Sequence, residues 1–565
     1  MKSKPTFQIK KGPGTFLGFL CLVLLSGFIL KQGNPADEIL GKIPVQSGGR
    51  VKPFESFARE ALLSVTGKFS IEGEGATLVV WRWIANPDQW YTKSFLTVRF
   101  EPLRQELGLM VIGEKISPEL ALTHPPFKAK VDEALQRQQK EELISPLDKK
   151  RLELYEQASL FQAIAEGSLP GFIPKLEDPR AGWLPLNSLA LPEARGALQT
   201  QYPAEELAQV ENALRTLVQT LREENQQKLA QDARQFLDSL TRLLDSRQVM
   251  LDHGKISAEL IYNQIHPFKW AWIFYLLSAT AWFFLKRITV LPVGFFAAGF
   301  ASHTLGFILR IQIAGRPPVS NMYESIIWVA WAVILFSIVL GLIYKRSILI
   351  SSAAWVASFA LIIGESFPAV LDPSLAPLVP VLRNNYWLTV HVLTITLSYG
   401  AFALAWGLAH VNLFNFAFRF EKKDEQETVH QYLYRTIQIG VVLLATGTIL
   451  GGVWANASWG RFWGWDPKET WALIALLGYL TILHGRFAGW VGTFGTALGG
   501  ALAFLGILMA WYGVNFVLAA GFHSYGFGGG GIPYVLAAVV LDLIFISFLV
   551  FRYNKKLHSR SLTRN

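Results

Sequence analysis

The stretch WANASWGRFWGWDPKETW, residues 454–471, places Trp454, Trp459, Trp463, Trp465 and Trp471 in one turn-rich segment between two long apolar runs. A single Trp at a bilayer edge serves as an anchor, because its ring is apolar and its one N–H needs a wet partner. Five of them, in a loop shaped by Gly460, Gly464 and Pro467, read instead as a flat hydrophobic platform for a large planar ligand. Two histidines sit at span ends on the same side: His391, after Asn384-Asn385-Tyr386-Trp387, and His523, in Gly521-Phe522-His523-Ser524. Axial ligation of a haem iron needs a neutral nitrogen on each face of the metal and flat apolar walls for the ring. Those residue types meet both needs.

The elements that must hold these residues are membrane helices. A chain of 565 residues, 51% hydrophobic, with positive mean hydropathy is a polytopic membrane protein carrying a soluble part. The excess of 52 Lys+Arg over 42 Asp+Glu lies largely in short loops and tails beside apolar runs, which is the positive-inside pattern. No nucleic-acid motif accompanies it, so that partner is excluded. The single cysteine, Cys21, lies in an apolar run and reads as a packing residue; without CxxC or CxxCH, any thiol chemistry must use a partner's thiols.

The expected fold is an all-α polytopic membrane protein of about ten spans with a mainly helical extracytoplasmic domain. Residues 1–31 form a Lys-rich cytoplasmic tail and an anchor over Thr15–Leu30, and residues 32–265 are too charged to span. Within that domain the segment 43–54 has strand and turn texture, while 128–165 and 203–252 carry the three- and four-residue apolar spacing of amphipathic helices packed as a hairpin or bundle. His124, in His-Pro-Pro, reads as a turn residue. Further spans are expected near 268–285, 289–311, 323–344, 348–366, 386–417, 436–453, 471–487, 489–517 and 534–551, with a tail over 553–565. Lys286-Arg287, Lys345-Arg346, Arg419 to Lys423, Arg486 and the tail from Arg552 then share the N-terminal, cytoplasmic side. The soluble domain, the loops 312–322 and 367–385, the Trp-rich loop and Gly528–Gly531 face the other way.

The run Trp459-Gly460 through Trp463-Gly464-Trp465-Asp466-Pro467-Lys468-Glu469-Thr470-Trp471 resembles the WWD signature of haem-handling cytochrome c biogenesis proteins. Within that superfamily the chain is most similar, over roughly 268–552, to the CcsA (ResC) subunit of the System II cytochrome c synthase. The resemblance implies haem b bound by Trp459, Trp463, Trp465, Asp466 and Trp471, with His391 and His523 as the external axial ligands. It implies presentation of haem for thioether attachment to the CxxCH motif of an apocytochrome c, supported by thiol-reducing proteins, at the cytoplasmic (inner) membrane. His484 corresponds to a transmembrane histidine whose companion usually comes from a CcsB (ResB) partner, a portion not found in this chain. His303 is a further candidate for that role. His410 is a weaker one, and His430 and His558 read as cytoplasmic surface.

Other residues keep two readings. Asp466, Lys468 and Glu469 order the loop, or Lys468 and Arg461 meet haem propionates. Arg310, Arg316, Asn321, Tyr323 and Glu324 are a snorkelling helix end or a family-like polar cluster. Two other function classes remain: a haem exporter or chaperone without lyase activity, and a bis-histidine haem b electron carrier.

Overall fold

The computed structural model describes residues 34–140, 142–177, 182–284, 290–344, 347–368, 370–378, 384–518 and 531–562. The expected first anchor, Cys21 and His523 lie outside them. The chain divides into two units, one ending at Gln264 and one running from Ile265.

The second unit consists of nine helices among the described residues: α1 (Pro267–Phe284), α2 (Val290–Ala314), α3 (Met322–Tyr344), α4 (Ser347–Ser366), α5 (Asn385–Phe418), α6 (Lys423–Trp459), α7 (Pro467–Phe487), α8 (Thr493–Leu518) and α9 (Ile532–Leu562). Most begin and end within about four residues of an expected span; α6 starts 13 residues earlier and ends six later than expected, and α9 runs 11 residues past its expected end. Eight are long and apolar enough to cross a membrane; α1 carries Lys269 and three tryptophans and is less apolar. Helices are the form such runs must take, since every backbone N–H and C=O has to be satisfied within the segment. The protein is thus an all-α, multi-pass membrane protein.

The bundle has two parts. Helices α1 to α4 pack on one another (α1 on α2 and α4, α3 on α4), and α5 joins them through α3 and α4. On its other side α5 packs on α6, α8 and α9, with α7 between α6 and α8. Small residues allow the close approach, as is usual where lipid gives no hydrophobic drive between helices. A Cβ on Gly440 of α6 would fall 2.6 Å from the Phe402 ring of α5, and one on Gly447 would fall 2.8 Å from Ile395. These contacts set the α5–α6 register.

Two helices depart from α geometry. Residues Leu388–Val392 of α5 and Met509–Leu518 of α8 are π-helical. Such segments turn side chains out of the ordinary register and concentrate at functional sites.

The first unit has one hydrophobic core. Trp81 is fully buried among Phe54, Phe172 and Phe236, at ring distances of 5.1, 6.0 and 5.7 Å. The helices Pro125–Gln139, Pro146–Ala165, Ala204–Arg222 and Gln226–Asp245 fill the regions where amphipathic spacing predicts them, the last two as an antiparallel pair. The strand texture resolves into a hairpin of β1 (Pro44–Ser47) and β2 (Arg50–Pro53). Two minor ladders follow, β3 (Ser70–Ile71) with β4 (Glu74–Gly75) and β5 (Leu96–Thr97) with β6 (Lys115–Ile116). The strands β7 (Gly171–Ile173) and β8 (Leu184–Pro185) extend the hairpin to a four-stranded sheet of order β2-β1-β7-β8. Those last strands carry too little alternation to be read in advance. His124 sits at the N-cap of helix Pro125–Gln139.

Candidate functional site

A cavity of about 360 Å³ opens at the end of the bundle where α5 and α7 begin and α6 ends. Its walls come from α5 (His391, Ile395, Tyr399), α6 (Thr448, Gly451, Trp454), the start of α7 (Lys468, Glu469, Ala472) and the π-helical part of α8 (Trp511, Asn515, Phe516). The loop before α3 adds Arg316 and Ser320, and the segment 370–378 closes another side. The site is therefore made from both parts of the bundle.

His391 stands on the π-helical turn of α5. Its Nδ1 lies 2.9 Å from the carbonyl oxygen of Gly447 on α6. A carbonyl only accepts, so Nδ1 carries the proton and donates, which leaves the lone pair of the neutral ring on Nε2. Metal-binding histidines are commonly oriented this way, by donating their other N–H to a backbone carbonyl. The ring rests on Trp454 at 5.5 Å between centroids, and Trp454 stacks in turn on Trp387 at 6.4 Å. Room for the imidazole exists only because residue 451 is glycine: a Cβ there would fall 2.7 Å from His391 Cε1.

The Trp-rich loop is held by its termini. Helix α6 stops at Gly460, whose φ of +70° suits glycine, with the Gly460 N–H donating to Asn456 O at 3.0 Å. Helix α7 starts with Asp466 as N-cap, and a full capping box joins Asp466 to Glu469. The Glu469 carboxylate also accepts from the backbone N–H groups of Gly464, at 2.8 Å, and Asp466, at 3.2 Å. Phe462 folds back against Gly452 of α6, where a Cβ would strike its ring. Trp465, between these fixed points, has φ +56° and is 70% exposed.

A charge cluster lies beside the cavity. Arg310 and Glu324 are fully buried and Arg316 is 7% exposed. Arg310 Nη2 donates to one Glu324 oxygen at 2.8 Å, while Arg316 Nη1 donates to the other at 3.0 Å. Ser320 donates to that second oxygen through N and Oγ, at 2.8 and 2.7 Å. Arg310 also reaches Pro373 O, and Arg316 reaches Ala376 O, tying the 370–378 segment down. Two guanidinium groups share one carboxylate, and Arg316 carries the cluster to the cavity wall, where Lys468, Asp372 and Glu469 also lie.

Residues 319–522, which include most of this wall, match the cytochrome c assembly protein family. The cytochrome c biogenesis protein CcsA of Prochlorococcus marinus is 36% identical to the chain, over 40% of the chain and 80% of the relative. The chain belongs to the CcsA family of cytochrome c assembly proteins. CcsA of Guillardia theta is 35% identical over 43% of the chain and 88% of its own length. Protein NrfI of Wolinella succinogenes is 30% identical over 92% of the chain, and the chain spans 60% of that relative's length.

In this CcsA-family chain the structure brings some of the sequence-predicted residues together and separates others. His391 and Trp463 line the cavity, with Trp454 between the π-turn and the loop. Trp459, Trp465, Trp471 and Asp466 are not on its wall among the described residues: Trp459 lies under Arg461, Trp463 and Trp465 meet edge to face at 5.8 Å, and Asp466 is spent on the cap. His523 lies outside the described residues, beyond the π-helical end of α8. Lys468 reaches the cavity; Arg461 packs against Gly464 instead.

The remaining histidines divide by facing. His303 is fully buried, with Nε2 3.0 Å from Ile327 O and Nδ1 3.3 Å from Tyr275 OH, and it stacks on Phe307. Nε2–H must donate to the carbonyl and Nδ1 accept from the phenol, so both ring nitrogens are committed. His484 is the reverse: it is exposed on α7, with Nδ1 donating to Leu480 O at 2.8 Å. His410 faces Asp542 of α9 at 3.0 Å. His430, expected at the surface, is 4% exposed, because the polar start of α6 packs on α5. Arg316, Tyr399, Trp511 and Asn515 were not predicted as cavity residues; of the four, the sequence singled out only Arg316, in the polar cluster with Arg310 and Glu324.

Proposed function

We propose that this CcsA-family protein takes haem as its cargo in the cavity at the α5–α8 end of the bundle and presents it to an apocytochrome c. The observation that carries the reading is His391: its Nδ1–H is oriented by Gly447 O, as metal-binding histidines commonly are, and the ring stands on the wall of an aromatic cavity. Trp454, Trp463 and Trp511 supply flat apolar walls, and Arg316 and Lys468 are the wall's cations for propionates. His523, the second ligand expected from the sequence, follows α8 in the chain and lies outside the described residues. The cavity end faces away from the cytoplasm, because the Lys- and Arg-rich connections lie at the other ends of the helices.

Attachment to CxxCH would add each thiol S–H across a vinyl C=C, so that sulfur bonds to carbon and the hydrogen goes to the neighbouring carbon with no external oxidant. The protein's residues contribute position and a dry wall. The outward-facing His484 supports a CcsB (ResB)-like partner that brings its companion ligand. By contrast, the electron-carrier alternative needs His303 as a ligand, and both nitrogens of His303 are already engaged.

The test is the absorption spectrum of the purified protein beside His391→Ala. A low-spin b-type spectrum lost in the variant and restored by imidazole supports the reading; an identical spectrum in both rejects it. Co-expression with an apocytochrome c, scored for covalent haem, separates synthase from exporter.

A further inference from the structure

At the end of α5 remote from His391, a second cavity of about 690 Å³ lies between the α5–α6 turn and α9. From His391 to Phe418 the helix rises roughly 40 Å at about 1.5 Å per residue, which exceeds the roughly 30 Å hydrocarbon core. Helix α9 gives the same level. From Ile532 to Phe551 it carries no charge but Asp542, a run of bilayer length, and Arg552 follows at once. The two cavities therefore belong to opposite faces of the membrane.

The wall of the second cavity is basic. Arg419 and Lys422 come from the turn, and Arg552, Lys555 and Lys556 from α9, with Glu421 as the lining carboxylate among the described residues. Glu425 lies 3.4 Å from Arg419 Nη1 and 2.7 Å from Lys422 Nζ, in half-exposed pairs of the weak kind. Asp424 and Glu427, the other acids at the start of α6, are not on the wall. Among the described residues Lys555 and Lys556 have no carboxylate within ion-pair distance. Five cations thus meet two carboxylates.

Positive charge is usual at this face of a membrane protein, but charges that only set topology have no reason to converge. Here Arg552, Lys555, Lys556 and Ser559 recur at three- and four-residue spacing, so they share one face of α9 and turn it to the α5–α6 turn. Phe545 and Phe548 continue that face toward the membrane interior. Arg552 lies over the Phe418 ring at 4.1 Å, a cation held against an aromatic floor. Phe418 in turn stacks on Phe414 at 4.6 Å and meets Phe548 at 6.3 Å, and all three rings are exposed. The basic concavity opens onto an apolar track along α5 and α9. A small anion would use only the first; a phosphodiester that carries acyl chains uses both, and basic pockets between membrane helices suit such headgroups.

We propose that this cavity binds one anionic phospholipid, its phosphate on Arg419, Lys555 and Lys556 and its acyl chain along Phe418, Phe414 and Phe548. The lipid joins α9, which packs on α5, to the α5–α6 turn.

The experiment uses the full chain, purified in detergent, stripped of lipid and titrated with dioleoylphosphatidylglycerol. Native mass spectrometry counts the adducts, and a thermal melt is recorded alongside. The expected result is one saturable adduct that raises the transition temperature. Lys555→Gln with Lys556→Gln should weaken it about 10-fold or more, while Lys555→Arg with Lys556→Arg keeps it. Lys423→Gln with Arg435→Gln, two cations of α6 outside the cavity, should leave it unchanged. Equal weakening by both Gln pairs would overturn the proposal, because the attraction would then be the diffuse charge of the whole face. Equal affinity for dioleoylphosphatidylcholine would overturn it too, as would displacement of the lipid by inorganic phosphate, the mark of a soluble ligand. Were the Lys555→Gln, Lys556→Gln protein to misfold, the wild-type choice between the two lipids and its saturation at one would decide alone.

Discussion

The imidazole of His391 and the carbonyl of Gly447 meet at 2.9 Å across the α5–α6 contact, and this hydrogen bond couples the candidate ligand to the most extensive helix contact among the described residues of the bundle. The π-helical turn at Leu388–Val392 brings the ring there, and the missing side chain at residue 451 leaves it space.

Gly451→Val should therefore act on His391 without touching any proposed ligand. The new Cβ falls on Cε1 and displaces the ring from Gly447 O. Loss of an orienting contact of this kind typically weakens metal binding about 10- to 100-fold. Haem titration followed by absorption checks it; unaltered affinity in a folded variant would sink the positioning role of Gly447.

Glu324→Ala should be severely destabilising. It leaves Arg310 and Arg316 buried without their shared carboxylate, and breaking a buried pair in this way costs about 3–5 kcal/mol. A thermal melt of the protein in detergent reads the effect. A transition temperature equal to the wild type's would mean that Pro373 O and Ala376 O suffice to hold the guanidinium groups.

Asp466→Ala removes the N-cap of α7 at a cost of about 0.5–2 kcal/mol. The loss is local, so faster hydrogen exchange is expected over 464–470, together with a looser Trp463 and weaker haem affinity. Exchange unchanged in that segment would show that Glu469 alone fixes the loop.

In the first unit, Arg151 bridges Glu106 and Asp148. Burial works to raise both carboxyls, but hydrogen bonds and charge from Arg151, with Lys130 at Glu106 and with Ser145 and Arg137 at Asp148, hold both below their ordinary range. A depressed carboxyl contributes stability that is complete above its unfolded value, about 4, and is lost as pH falls through the folded value. Protection of helix Pro146–Ala165 against hydrogen exchange should accordingly fall on acidification below about pH 4, and Arg151→Met should flatten that dependence. The same acid profile in the variant would remove these carboxyls as its source.

The sequence by itself determined the membrane helices, the amphipathic helices of the first unit and the Trp-rich turn. Hydrocarbon thickness imposes span length, helical spacing marks a half-buried face, and Gly460, Asp466 and Pro467 punctuate the loop ends with fixed local preferences. It did not determine which side chains meet. A helix that is apolar all round, as α3 and α5 are, offers no stripe from which to read its inner face. So His303, His391 and His484 look alike along the chain, yet one is sealed between helices, one lines the cavity and one faces outward. The same holds for the tryptophans: Trp454 and Trp463 reach the cavity, whereas Trp459 and Trp465 do not. Those outcomes follow from the glycine contacts that set the α5–α6 register and from the π-turns that rotate His391 and Trp511 inward. Such contacts join residues far apart in the chain, and only the tertiary structure supplies them.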